Sequence, residues 1–179
     1  MIDPASGPFL FDTSAESWLA RSSAPAIRAW LYDYLGLHRI SVSAITVTER
    51  IRGYSMLWRR ARPETRDLVD ADRVAYLSQL GDVLPIDSAI AVVAGEIMAL
   101  LPEAPTPPRR SHRLVESRQE RLTRWRFDGL IAATALVAGM PLIHNKAGDF
   151  EAIRGAIECT RERFSGLGAL ELIRCTRLV

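Results

Sequence analysis

Hydrophobic positions along this chain fall into five short runs separated by longer periodic stretches. "PFLFD" ending at Asp12, "ISVSA" at 40–44, "DVLPID" at 82–87, "PLIHN" at 141–145 and "LELIRC" at 170–175 are brief. Most are rich in β-branched or aromatic residues, the mark of buried strands. Between them the spacing shifts toward a period of 3.6. Residues 15–35 place Trp18, Leu19, Ile27, Trp30, Leu31 and Tyr34 at helical intervals, interrupted around Pro25. "TVTERIRGYSMLWRRA" follows the second strand. "SAIAVVAGEIMALL" at 88–101 and "FDGLIAATALVAG" at 127–139 are apolar on most sides, which predicts buried helices. Strands alternating with helices predict an α/β fold, a parallel sheet covered on both faces.

One segment interrupts this order. "LPEAPTPPRRS", 101–111, carries four prolines and predicts a loop. "HRLVESRQERLTRWR" after it predicts an Arg-rich helical stretch over 112–126. No repeat is visible, and all 179 residues are expected to share one domain.

Composition narrows the class. A hydrophobic content of 48% and a charged content of 25% exclude a disordered chain, and a net charge of +2 is too small for a non-specific polyanion binder. The kind of cation says more: 22 of the 23 basic residues are Arg, and Lys146 is the one lysine. Arg suits bidentate reading of phosphate or carboxylate; coding bias accounts for the same excess. Cys159 and Cys175 stand in no metal or redox spacing, which fits a reducing compartment. The N-terminus shows no export signal, and the longest uncharged run, 129–143, falls short of the roughly 20 apolar residues of a membrane span. A soluble cytoplasmic protein, with no membrane partner, is the expectation.

On that skeleton the acids gather at one edge. Asp12 ends the first strand and precedes Thr13 and Ser14; Glu49 lies early in the helix after the second strand. Asp128 is expected to open the helix before the fourth strand, and Asp149 follows that strand. Ligands of open α/β sheets bind at the carboxyl ends of strands. A helix N-terminus and a divalent cation would together make Asp128 tolerable in its oily surroundings. Oxygen donors without a Cys or His set select Mg²⁺ or Mn²⁺. Taken singly, each acid has another reading: Asp12 as a turn former, Glu49 as a solvated residue, Asp128 as a first-turn dipole partner and Asp149 as the N-cap of "FEAIRGA".

These blocks resemble PIN-domain ribonucleases, most closely VapC-like toxins of bacterial toxin–antitoxin pairs. The resemblance rests on "FLFDTSAE", "ISVSAITVTERIRGY", "LPIDSAIA" and "FDGLIAATALVAGMPLIHNKAGDFEAI", which together span residues 9 to 153. It implies a three-layer α/β/α sandwich with a mostly parallel five-stranded sheet. It also implies Mg²⁺-dependent (or Mn²⁺-dependent) endonucleolytic cleavage of RNA, with Asp12, Glu49 and Asp128 holding the metal and a water activated there attacking the phosphodiester. A cognate antitoxin and a homodimer are the implied partners. Relatives often carry a fourth acid where this chain, in "HNK", has Lys146. Asp149 taking that place, Asn145 shifting inward, or a site of three acids are the options. Thr13, Ser14, Asn145, Lys146 and Arg124 are the candidate substrate contacts.

On a helical wheel Arg110, Arg113, Arg121 and Arg124 share one side, with Arg118 nearby. That face is either salt-bridged by Glu116 and Glu120 or a guide for RNA backbone or an acidic antitoxin tail. His144 is expected to be a satisfied, partly buried residue rather than a base. Trp58 is placed on a helix that dimerises or receives the antitoxin. Two further functions stay open: a PIN-like binder that has lost turnover, and a PIN nuclease outside any toxin pair.

Overall fold

The computed structural model describes residues 2–108, 110, 115–146 and 148–179. Five strands form one sheet: β1 (Leu10–Phe11), β2 (Ser41–Ser43), β3 (Asp82–Leu84), β4 (Leu142–His144) and β5 (Leu172–Arg174). Their order is β3-β2-β1-β4-β5, and every neighbouring pair is parallel. Phe11 pairs with Val42 on one side and Ile143 on the other, so β1 is central and Asp12 emerges at the middle of the carboxyl edge. The chain builds leftward from β1 through β2 to β3, then returns to the other side for β4 and β5. That reversal makes β1/β4 the topological switch point.

Seven helices lie among the described residues: α1 (Thr13–Arg21), α2 (Pro25–Leu37), α3 (Ala44–Arg60), α4 (Pro63–Ser78), α5 (Ser88–Leu100), α6 (Arg118–Ala138) and α7 (Gly148–Cys159). Alternate strand residues serve two cores. Leu10 and Leu142 join Ile90, Ile97, Trp125, Ile131 and Ile153 of α5, α6 and α7. Phe9, Phe11, Val42, Ile143 and Ile173 join Leu19, Trp30 and Tyr34 of α1 and α2. Two cores on opposite faces give the expected three layers. The second is aromatic: Trp30 stacks on Tyr34 at 5.2 Å between centroids, and its indole N–H donates to the Ile2 carbonyl at 2.7 Å. In the first, the buried Trp125 indole donates to the Leu101 carbonyl at 2.8 Å, pinning the proline-rich loop to α6.

Three elements differ from the sequence expectations. The Arg-rich stretch and the 127–139 helix are one continuous helix, α6, beginning at Arg118 and stopping at Gly139, whose φ of 64° favours glycine. Ser117 and Glu120 form a reciprocal capping box at its start. Residues 115–117 therefore precede the helix, and Arg110 pairs with Val115 in an antiparallel bridge, so the four-arginine wheel does not form. Arg113 lies outside the described residues. Secondly, α5 buries only Ile90, Ala94 and Ile97, leaving Val92 67% exposed; it meets the core with one face rather than all round. Finally, α4 buries no residue and had no apolar pattern to announce it; Pro63 at its first turn was its sequence mark.

Candidate active site

Asp12 is held by the turn it makes. Its N–H donates to the Ile143 carbonyl at 3.0 Å, and its carboxylate caps α1, accepting the Ala15 N–H at 2.7 Å. The Ser14 hydroxyl reaches both of its oxygens at 2.8 Å and accepts the Asn145 N–H at 3.1 Å. Ser14 thus ties the loop after β4 to the first acid. The turn-forming role is real, and the cap fixes a fully buried carboxylate at the sheet edge. Beside it, the Thr13 hydroxyl donates to Glu49 Oε2, drawing the second acid in from α3. Ser43 caps that helix through the Ile45 N–H at 3.3 Å.

Asp128 does not open a helix. It sits midway along α6 with no exposed surface, so no helix N-terminus offsets its charge. Oδ1 accepts the Lys146 ammonium, while Oδ2 has no partner among the described residues. Burial pushes its pKa up to about 7, against the pull of Lys146 and with added push from the charges of Asp149 and Glu49. Those two acids are therefore close enough to be felt.

Asp149 lies in the first turn of α7 rather than at the cap. Its oxygens are both taken: the Thr106 hydroxyl donates to Oδ1 at 2.5 Å and the Arg124 guanidinium to Oδ2 at 2.6 Å. Arg124 also reaches Glu116 at 3.0 and 3.1 Å. Asn145 is exposed, so its side chain has not moved inward; Lys146 is the residue that turned in. His144 is fully buried rather than partly so and is not satisfied: it lies edge-on to Phe150 at 5.2 Å, neither ring nitrogen has a hydrogen-bond partner among the described residues, and burial lowers its pKa.

Thr13 links Glu49 to the turn that holds Asp12, and Asp149 and then Glu49 are near enough to Asp128 to push its pKa up. The donor chemistry suits an oxygen-seeking divalent ion, and the orphaned Oδ2 of a buried carboxylate is the feature that asks for one. The number fits less well. No three His, Cys, Asp or Glu side chains among the described residues stand together as a ready-made metal cluster.

A cleft of about 680 Å³ is lined by Glu49, Glu116 and Glu120 as well as Arg52, Arg110 and Arg124, with Met56 and Phe127 between them. Sequence reading missed Arg52; its position three residues after Glu49, on the same face of α3, was the available signal. A second, apolar cavity of about 370 Å³ lies on the α1/α2/α4 side, bounded by Leu19, Leu31, Leu35, Ile40 and Leu80. At its rim Arg50 pairs with Glu16 at 3.3 Å and lies 5.0 Å from the Tyr76 ring. Burial raises the Tyr76 phenol to about 12. Trp58 is 37% exposed under the Arg66 guanidinium, 4.4 Å from its ring.

The sequence profile of the PIN domain matches residues 9–155. Among solved structures, the chain is similar to a VapBC2 complex of Rickettsia felis bound to a promoter DNA fragment, at 14% identity and a TM-score of 0.57, covering 93% of this chain and 97% of that one. It is similar to a DNA-bound VapBC of Salmonella typhimurium at 19% identity and a TM-score of 0.54, with the same coverage. FitAB bound to an IR36 DNA fragment matches at 19% identity and a TM-score of 0.53, covering 94% and 95%. No curated protein sequence matches.

Proposed function

The chain belongs to the PIN domain family, and on that premise we propose that it is a Mg²⁺- or Mn²⁺-dependent endoribonuclease, the toxin of a toxin–antitoxin pair. One observation carries the reading: a fully buried Asp128 whose Oδ2 has no partner among the described residues, near enough to Glu49 to feel its charge, with Glu49 itself lining the cleft. Asp12, Glu49 and Asp128 are the residues that would hold the ion. When bound, a divalent ion would lower the pKa of a water and neutralise charge on the scissile phosphate.

The chain's own groups do the rest. Arg52 and Arg110 line a cleft that suits RNA backbone, and guanidinium forks match phosphate oxygens. The Ser14 bridge between Asp12 and the Asn145 backbone keeps the first acid still. Thr13 orients Glu49.

Purified protein is expected to cut RNA with Mg²⁺ or Mn²⁺, and EDTA, Asp12→Asn or Asp128→Asn to stop it. Equal cutting by both variants and wild type would sink the assignment. A second reading, a PIN-like binder that has lost turnover, draws on Lys146 and Arg124 neutralising two of the four acids. It predicts no thermal shift with millimolar Mn²⁺, whereas the nuclease reading predicts one.

For the antitoxin, the apolar cavity on the α1/α2/α4 side, flanked by exposed Tyr32, Leu35 and Leu77, suits an amphipathic helix. The VapBC and FitAB likenesses support the pairing. A homodimer in the cytoplasm completes the proposal, with exposed Val83 of β3 and Val92 of α5 as apolar surface for it. No helix among the described residues is long and apolar enough to cross a membrane. A PIN nuclease outside any toxin pair shares the site, and a small antitoxin gene beside this one separates the two.

A further inference from the structure

The hairpin of α3 and α4 concentrates positive charge at its tip. Residues 52–66 hold five arginines, Arg52, Arg59, Arg60, Arg62 and Arg66, against Glu64 alone, a net +4 in a chain whose whole balance is +2. None of the five forms an ion pair among the described residues, and all but Arg66 are exposed. Arg66 lies over the Trp58 ring at 4.4 Å, and its buried Nε has no partner among the described residues. A pocket of about 360 Å³ opens beside that ring, lined by Tyr54, Ser55, Trp58, Arg59 and the Arg73–Asp70 pair. Small-molecule sites run from roughly 300 to 1,000 Å³, so a flat ring fits there.

We propose that the hairpin tip is a second RNA-docking site, in which the pocket beside Trp58 takes a nucleobase and Arg59, Arg60 and Arg62 take backbone phosphates. The inference rests on the RNA reading above and deepens it. Helix α3 itself joins the two places. Glu49, Arg52 and Met56 line the larger cleft, and helical spacing carries the same face on to Arg60, four residues after Met56. Glu49 and Arg60 lie about 16 Å apart along the helix axis. That span matches roughly five stacked nucleotides at about 3.4 Å each. Both ends stand on one helix, so the distance is independent of how any loop lies. An acidic protein tail would match the arginines but bring no ring for Trp58. Single-stranded RNA brings both, and stacking aromatics set in a positive groove are how such strands are held.

The test is fluorescence anisotropy on the full chain in EDTA, across a series of KCl concentrations, with two labelled oligouridines. One has twelve nucleotides and reaches from Glu49 to the tip; the other has three and cannot serve both. Wild type is expected to bind the longer strand at least about tenfold tighter, and Arg59→Gln/Arg60→Gln/Arg62→Gln to lose most of that gain. Single-strand binding falls with log salt by about 0.7 per phosphate neutralised, so the triple variant should lose about 2 from its slope. The longer strand should quench tryptophan emission in wild type and leave Trp58→Phe unquenched, a reading that stands even if the triple variant fails to fold. A twelve-residue oligoglutamate should compete poorly. Unchanged affinity and salt slope in the folded triple variant overturn the inference and leave the nuclease reading standing. Equal quenching in Trp58→Phe does the same, as does oligoglutamate competing as well as RNA. Failure of wild type to bind or cut any RNA overturns both.

Discussion

Two buried ion pairs flank the acid edge, and they are built to opposite ends. Asp149 and Arg124 form a closed pair: Thr106 fills one carboxylate oxygen, the guanidinium fills the other, and the same guanidinium reaches Glu116. It braces α6 against α7 and the proline-rich loop. Asp128 and Lys146 form an open pair, with one oxygen engaged and one without a partner among the described residues, at zero exposure. A closed pair stabilises by satisfying every atom; an open one keeps a polar atom at a cost that only a ligand removes. Ion-pair distance alone does not separate a brace from a binding site. Counting the remaining lone pairs does.

The largest expected effect breaks the open pair by removing its charge. Asp128→Asn should lower RNA cutting by at least about 100-fold, since the ion loses a ligand. Metal-free stability at pH 8 should fall by less than it does when the closed pair is broken, because the Lys146 ammonium left behind is 15% exposed and can turn to solvent. A loss of stability as large as its loss of activity would show that Asp128 is a brace after all.

Next comes the closed pair. Arg124→Met leaves the Asp149 carboxylate, at 4% side-chain exposure, without its guanidinium partner. Breaking a buried pair from one side costs about 3–5 kcal/mol, read as a lower urea midpoint. Saturating Mn²⁺ should not restore it beyond the shift wild type shows. Full recovery with Mn²⁺ would make Asp149 a metal ligand and end the distinction.

How much of this was legible follows the same divide between local and distant causes. Short apolar runs ending in acid located β1 and Asp12, because strand, cap and acid are neighbours in sequence. The start of α6 was misplaced because composition changes sharply at Phe127, although "SRQE" at 117–120 already held a capping box. That error put Asp128 at a helix end and credited a dipole that is not there. Lys146 and Asp128 are 18 residues apart and Thr106 and Asp149 are 43 apart; only the folded loops decide such pairings. The apolar wheel of α5 promised burial all round because a wheel records polarity, not which sides neighbours cover.

A moderate effect should appear with pH. The folded pKa of Asp128 is pushed from its ordinary 3.8 up to about 7, so the metal-free fold holds that proton more tightly than the unfolded chain. Its contribution is fully present below about pH 4 and is lost as pH rises through about 7. Metal-free denaturation series should show this slope, and Asp128→Asn should flatten it. Uptake of Mn²⁺ must expel the proton, so apparent affinity should climb with pH up to about 7 and then level off. Asp149→Asn should leave the pH slope largely in place, which would keep the two pairs distinct.

The smallest effect tests whether the two pairs share a support. Both Arg124 and Asp128 ride on α6, whose first turn is held by the exposed Ser117–Glu120 box, with the Glu120 N–H donating to Ser117 Oγ at 3.2 Å. Ser117→Ala should cost about 1 kcal/mol in denaturant stability. Fraying begins at the helix end nearer Arg124, so amide exchange should quicken over the first turns and around Asp149 before it reaches Asp128. Mn²⁺ affinity should stay unchanged, because Asp128 lies on the stretch of α6 where Gly129, Ile131 and Ala132 are buried as well, well past the first turn. A tenfold change in Mn²⁺ affinity would mean that the brace sets the geometry of the open pair, and that the two are one device.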